Sequence, residues 1–168
     1  MPALPVLDSA ERAYQFWSGD YRILPILDSI FRNTLYPFFG LLGVGNDLSE
    51  SLLGGFASSL ALQACVYGYV GWNYQEFNQE LKSSNIDPPY VGILPSGKDA
   101  IRFVRSGQNW NTNWRDAVEP VLMRIPIYSI GGLLLDNDPL AVVVSSALGS
   151  IFMEWAVVDH TREKLKTQ

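Results

Sequence analysis

Residues 51–75 read SLLGGFASSLALQACVYGYVGWNYQ, and no charged residue lies between Glu50 and Glu76. About 20 consecutive, mostly apolar residues let an α-helix cross the hydrocarbon core of a bilayer. Charged residues make up only 17% of the chain, against roughly 25% in soluble globular domains. This stretch is therefore predicted to be a membrane-spanning helix, although the mean hydropathy of the whole chain is only +0.07.

Three further apolar stretches accompany this one. Residues 139–158 are interrupted by Glu154 alone, whereas residues 24–44 and 118–135 are weaker candidates. The weaker stretches contain charges and prolines, including Asp28, Arg32, Pro37, Arg124 and Pro126. Taken singly, each weaker stretch is equally typical of a buried or amphipathic helix in a soluble domain.

Short polar joints group the four stretches into two pairs. Residues 46–50 join the first pair and residues 136–138 join the second, and both joints are rich in turn-forming residues. The sequence therefore predicts an all-α, four-helix membrane protein built from two helical hairpins, with an extended polar central loop. The predicted segments are an N-terminal segment at 1–23, a first hairpin at 24–75, a polar loop with a short helix at 76–117, a second hairpin at 118–158 and a polar tail at 159–168.

The charges are distributed unequally between the two sides of this predicted bundle. The two hairpin joints contain only acidic charges: Asp47, Glu50, Asp136 and Asp138. The opposite side contains the basic residues Arg12, Lys82, Lys98, Arg102, Arg105, Arg115, Arg162, Lys164 and Lys166. Because cytoplasmic loops carry an excess of Lys and Arg, we expect both termini on the cytoplasm-like side of a plasma, inner or organellar membrane.

Small residues recur at helical spacing in the second and fourth stretches. They form one stripe of Gly54, Ala57, Ala61, Ala64, Gly68 and Gly71, and a shorter one of Ala141, Ser145 and Gly149. In a membrane, small residues allow two helix backbones to approach closely. We predict that both stripes are helix-packing faces, within the chain or between copies; the alternative is a small-residue seam in a soluble bundle.

Charged residues inside the predicted spans form two candidate pairs. Asp28 and Arg32 are four residues apart and can pair on one helix face. Arg124 and Glu154 lie at similar depths on the two arms of the second hairpin. Structural ion pairs are one interpretation, and a polar pathway or a proton-handling pair is the other.

Residues suited to catalysis or metal binding are scarce in this sequence. Cys65 is the only cysteine and His160 the only histidine, so we expect no metal site, no cofactor and no enzyme activity. Residues 92–99 approximate a phosphate-binding loop, but Asp99 replaces the Ser or Thr that holds magnesium. We expect a short helix there, from about Lys98 to Arg105, capped by Ser96.

These patterns lead to three functional hypotheses. The first is a non-catalytic accessory or structural subunit of a membrane complex, in contact with membrane lipid and with other membrane-protein subunits or copies of itself. The second is an oligomeric transporter or channel, and the third is a soluble self-assembling shell or coat protein. Because the net charge is −5 and no basic face stands out, we expect no nucleic-acid partner.

Overall fold

The computed structural model describes residues 9–84 and 94–166, except for the side chains of residues 81, 83 and 84. Within these ranges the chain forms helices and no strand. The helices are α1 (Ser9–Trp17), α2 (Ile23–Gly43), α3 (Leu48–Trp72), α4 (Tyr74–Ser84), α5 (Pro95–Arg105), α6 (Trp110–Leu134) and α7 (Pro139–Lys166).

The joints between α2 and α3 and between α6 and α7 have the same local structure. Gly45 and Asp136 adopt φ values of 100° and 55°, in the left-handed region. In each joint the next backbone N–H returns to a carbonyl in the preceding helix, from Asn46 to Leu41 and from Asn137 to Gly132, both at 3.3 Å. These bonds satisfy carbonyl groups that the helix ends would otherwise leave unpaired.

The following helices begin at aspartate caps. The Asp47 carboxylate accepts a hydrogen bond from the backbone N–H of Glu50 at 2.8 Å. Asp138 accepts one from Leu140 N–H at 2.8 Å and precedes a proline at the first residue of α7. Capping carboxylates and a first-turn proline are strong helix-start signals, so the short joints reverse the chain within a few residues.

The four long helices pack around a shared interior. Helix α2 lies against α3 and α7, and α6 lies against the same two helices from the other side. Helix α1 packs mainly on α3, and α5 packs on α6 and α7. Helices α1 and α5 therefore lie against the part of the long helices that is remote from the joints.

The interior contains polar and small side chains as well as apolar ones. The buried polar residues on the long helices include Ser29, Asn33, Thr34, Ser51, Ser58, Ser59, Gln63, Ser145, Ser146 and Ser150. Some of their hydroxyls bond to a backbone carbonyl of another helix; Ser59 donates to Ile30 O at 2.6 Å and Ser150 donates to Val121 O at 2.8 Å. Others, including those of Thr34 and Ser146, donate to a carbonyl of their own helix. These bonds are the reason that such groups can be buried.

Three of the helices are long and apolar enough to cross a membrane: Leu48–Trp72, Trp110–Leu134 and Pro139–Lys166. They correspond to the second, third and fourth stretches predicted from the sequence. The first stretch does form the long helix α2, but this helix is not among the candidate spans of the described residues. Its polar residues, including Asp28, Arg32 and Asn33, lower its hydropathy.

The central segment differs from the extended loop that we expected. Helices α4 and α5 occupy much of it, and α6 already begins at Trp110 with a kink at Asn113. Asn109 caps α6 by accepting a hydrogen bond from Asn111 N–H at 3.1 Å. The asparagine-rich run at residues 109–113 lies in the segment that we predicted as a polar loop, but it starts a helix because its first residue supplies the cap.

The start of α5 also differs from the prediction. Ser96 lies inside the helix and does not cap it; the cap position is Leu94, which makes no side-chain bond there. Pro95 occupies the first helical turn, where its fixed φ favours helix initiation. Asp99 is buried and bonds to Arg102 on the same helix.

Candidate functional site

The predicted stripe on α3 divides into inward and outward parts. Gly54 is buried, and a Cβ atom added there would lie 2.6 Å from Leu41 Cδ1. A Cβ added at Gly71 would lie 2.5 Å from the Trp17 indole. Ala57 and Ala61 are half-buried, whereas Ala64 and Gly68 are exposed. The two ends of the stripe therefore contact this chain, and its middle faces outward.

A different face of α3 makes most of the contacts within the chain. Its buried residues are Ser51, Gly54, Gly55, Ser58, Ser59, Leu62, Gln63, Val66 and Val70. Ser58 connects α3 to α6, because its hydroxyl donates to Tyr128 O at 2.9 Å and accepts from Gly131 N–H at 2.9 Å. Sequence reasoning missed this face; the recurrence of Gly55, Ser59 and Gln63 every four residues was the available signal.

The shorter stripe on α7 lies against α2. Ser145 and Gly149 are buried and Ala141 is half-buried. A Cβ added at Gly149 would lie 2.8 Å from Tyr36 O, and one added at Gly40 would overlap the backbone carbonyl of Ser145. Small residues on both helices therefore let the α2 and α7 backbones come close together.

Arg124 and Glu154 form a buried ion pair between α6 and α7. The Arg124 guanidinium donates to Glu154 Oε2 at 2.6 Å, and each side chain is only 7% exposed. The other carboxylate oxygen of Glu154, Oε1, is buried without a hydrogen-bond partner. Removing one member of such a pair leaves an uncompensated charge, so the two residues depend on each other.

Asp28 and Arg32 also pair, and the structure adds a third residue. Arg32 Nε donates to Asp28 Oδ1 at 2.7 Å, while Arg12 of α1 lies 2.7 Å from Asp28 Oδ2. Arg12 also donates to Pro25 O and to the Ser29 hydroxyl, each at 3.0 Å. Sequence reasoning missed Arg12, because only the folding of α1 onto the long helices brings it to this carboxylate.

A polar cluster continues from α1 into the interior. The hydroxyl of Ser9 accepts hydrogen bonds from Asn33 Nδ2 at 3.2 Å and from Gln63 Nε2 at 3.1 Å. The amide oxygens of Asn33 and Gln63 and the hydroxyls of Tyr36 and Tyr128 are buried without partners. The interior therefore holds unpaired polar atoms on α2, α3 and α6 as well as on α7.

The titratable side chains of the described residues do not converge on a metal site. Within residues 9–84 and 94–166, no group of three or more His, Cys, Asp or Glu side chains could hold a metal ion. Cys65 is exposed on α3, and His160 is half-buried near the end of α7. Residues 92–99 are the ones that approximate a phosphate-binding loop, and the first two of them lie outside the described residues.

Comparison of the chain with protein-family models, curated proteins and solved structures finds no match.

Proposed function

We propose that this chain is a small multi-pass integral membrane protein that acts as a non-catalytic accessory or structural subunit of a membrane complex. The observation that carries the proposal is the outward surface of the long helices. It presents large apolar side chains, among them Leu24, Phe31, Phe39, Leu53, Leu60, Leu122, Leu133, Val143, Ile151 and Phe152. Soluble monomers rarely expose so large an apolar surface, whereas lipid favours it.

The helix lengths fit this proposal. Helix α3 has 25 residues and therefore extends about 37 Å, more than the roughly 30 Å of a hydrocarbon core. Helix α2 has 21 residues and extends about 31 Å. Its packing between α3 and α7 supports its inclusion as a fourth span, and the ion pairs of Asp28 reduce the cost of the charges it carries.

The proposed orientation places both termini on the cytoplasm-like side. The joints that follow α2 and α6 carry acidic residues and no Lys or Arg, whereas the opposite end carries the basic ones. This asymmetry is the pattern of the positive-inside rule. The exposed Trp72, Trp110 and Trp155 lie toward the same basic end, as expected for residues at a membrane interface.

The subunit role is supported by the outward part of the α3 stripe. Ala64 and Gly68 are exposed, and a Cβ added at Gly68 would meet no atom within 4 Å. The gap between large apolar side chains at these positions lets a helix of another subunit, or of a second copy, approach the α3 backbone.

Alkaline carbonate extraction of cells expressing the full chain tests membrane insertion. We expect the protein to stay in the pellet, and protease to cut the segment between α4 and α5 only from the cytoplasmic side of oriented vesicles. Release into the supernatant would support the alternative of a soluble self-assembling protein, whose apolar faces would be buried between subunits.

The subunit role is tested by the double variant Ala64→Leu/Gly68→Leu. Ala64 is exposed and a Cβ added at Gly68 meets no atom within 4 Å, so we expect normal folding and insertion but loss of the larger assembly on native gels and in cross-linking. Val144→Leu, an exposed position on α7, is the matched control and should leave assembly unchanged. An assembly that survives the double variant would remove α3 from the interface.

An oligomeric transporter or channel is the second candidate. It is favoured by the buried polar atoms of Asn33, Gln63, Tyr36 and Tyr128 that have no hydrogen-bond partner, and by the buried Arg124–Glu154 pair. If this interior conducts, Glu154→Gln should abolish flux into proteoliposomes while assembly stays intact. Equal flux in wild-type vesicles and protein-free vesicles would exclude this candidate.

A further inference from the structure

Helix α5 has one buried face and one exposed, basic face. Ala100 and Phe103 are 0% and 1% exposed, and Phe103 packs against residues of α6 and α7. Three exposed residues follow one another at spacings of four and three, which places them on the side of the helix opposite to that contact. These residues, which we call the basic face of α5, are Lys98, Arg102 and Arg105.

The charges of the basic face are only partly balanced within the chain. Arg102 pairs with Asp99, and its Nε lies 3.4 Å from Asp116 Oδ1. Neither Lys98 nor Arg105 forms an ion pair with a carboxylate of residues 9–84 and 94–166. The chain as a whole carries a net charge of −5, so the positive charge is a local property of this face. It is therefore available to an anionic partner.

Aromatic contacts indicate the depth of the basic face in the membrane. The rings of Phe103 and Trp110 pack edge to face with centroids 4.9 Å apart. Trp110 and Trp114 are 60% and 50% exposed, and the Arg115 guanidinium carbon lies 5.7 Å from the centroid of the Trp114 ring. Exposed tryptophans prefer the level of the lipid headgroups. Because Phe103 belongs to α5, its contact with Trp110 brings the basic face to the same level.

We propose that the basic face of α5 binds the headgroups of anionic phospholipids in the cytoplasm-like leaflet. The proposal rests on the membrane location proposed above and adds the class of lipid. Each Lys or Arg near a bilayer surface strengthens the attraction of anionic headgroups by about fivefold. A guanidinium can also donate two parallel hydrogen bonds to one phosphate group. A zwitterionic headgroup carries no net charge, so it gains much less from this face.

Quenching by brominated lipids tests the proposal with the full chain reconstituted into vesicles. Phosphatidylcholine vesicles contain the same fraction of brominated phosphatidylglycerol or of brominated phosphatidylcholine, and bromine quenches nearby tryptophan. Trp110 and Trp114 lie beside the basic face, and the other tryptophans give a background common to both lipids. We expect the relative binding constant to favour the anionic lipid by about fivefold at low salt, and to approach one at about 1 M salt. Equal quenching by both lipids at low salt would overturn the proposal.

Two double variants locate the site on α5. Lys98→Gln/Arg105→Gln removes the two charges that have no carboxylate partner and keeps the Arg102–Asp99 pair. We expect it to lower the preference for the anionic lipid to at most about half of the wild-type value. Lys164→Gln/Lys166→Gln is the matched control, because it removes two exposed charges from the end of α7, and it should keep the preference. An equal loss in both variants would assign the preference to overall charge and overturn the proposal.

A carbonate wash of the vesicles separates this proposal from that of the membrane location. Protein that stays inserted but is quenched equally by both lipids contradicts the lipid proposal alone. Release of the protein by carbonate contradicts the membrane location and the lipid proposal together. If the double variant of α5 does not fold, the comparison of the two lipids at low and high salt on the unaltered chain still decides.

Discussion

Small residues occur on two faces of α3, and the two faces have different surroundings. On the inward face, Gly54 lies against α6 so closely that a Cβ added at Gly131 would overlap the Gly54 carbonyl. On the outward face, a Cβ added at Gly68 would meet no atom within 4 Å. The same residue type therefore occurs both in a close helix–helix contact within the chain and on an exposed surface. Only the position of the neighbouring backbone distinguishes the two.

The strongest test of this comparison is a pair of glycine replacements. Gly131→Leu places a side chain into the backbone of α3, so we expect a loss of about 3 kcal/mol or more in the free energy of unfolding. Gly68→Leu should change it by no more than about 1 kcal/mol, with helix propensity in its favour. Unfolding by SDS in mixed micelles measures both. Equal changes in the free energy of unfolding for the two variants would mean that α3 and α6 are not closely packed at Gly131.

A second pair of variants extends the comparison to charges. The Arg124–Glu154 side chains are each 7% exposed, whereas Arg32 and Asp28 are 34% and 39% exposed. Arg124→Met should cost about 3–5 kcal/mol because it leaves the Glu154 carboxylate buried and unpaired. Arg32→Met should cost about 1 kcal/mol or less, since Arg12 still contacts Asp28 and balances its charge.

The double variant Arg124→Met/Glu154→Met is the control for the buried pair. We expect it to recover most of the stability lost in Arg124→Met, because two apolar side chains of similar volume replace both charges. The same SDS titration measures the recovery. A double variant as unstable as Arg124→Met would assign the loss to packing and not to the unpaired charge.

The long helices were predictable because their signals are local. Apolar runs of sufficient length, followed by turn formers such as Asn46 and Asp138, specify a helix and its reversal without reference to the rest of the chain. The first residues of α6 were missed because the asparagine-rich run is typical of a loop. There, the cap at Asn109 and the packing of α5 on α6 stabilise a helix, although the composition of the run favours a loop.

The rotation of each long helix about its axis was not predictable in the same way. The outward face of α3 carries large apolar side chains such as Leu53 and Leu60, whereas its inward face carries Ser, Gly and Val. The polarity of the residues therefore does not distinguish the inward side of the helix from the outward side. In a soluble domain polarity identifies the outside, but here it does not. Consequently the sequence predicted a stripe that includes Ala64 and Gly68, while Ser58 and Ser59 make the interior contacts.

The smallest expected effect is at the exposed start of α3. The hydrogen bond from Glu50 N–H, with a second from the Ser49 hydroxyl at 2.8 Å, lowers the pKa of the Asp47 carboxyl below its ordinary value. Asp47→Asn keeps a capping side chain but removes the charge. A lowered folded-state pKa stabilises the fold above the unfolded-state pKa of about 4, and this contribution disappears as the pH falls through the folded value.

We therefore expect the wild-type protein to be slightly more stable than Asp47→Asn at pH 6, with the difference shrinking as the pH is lowered below about 4. Comparing the two proteins at each pH cancels the other carboxylates, because both contain them. Thermal unfolding midpoints of both proteins across this range measure the difference. A gap that stays constant would mean that the charge of Asp47 contributes nothing and that its cap acts through geometry alone. Stability at the exposed start of α3 would then depend on backbone geometry, as it does where Gly54 packs against α6.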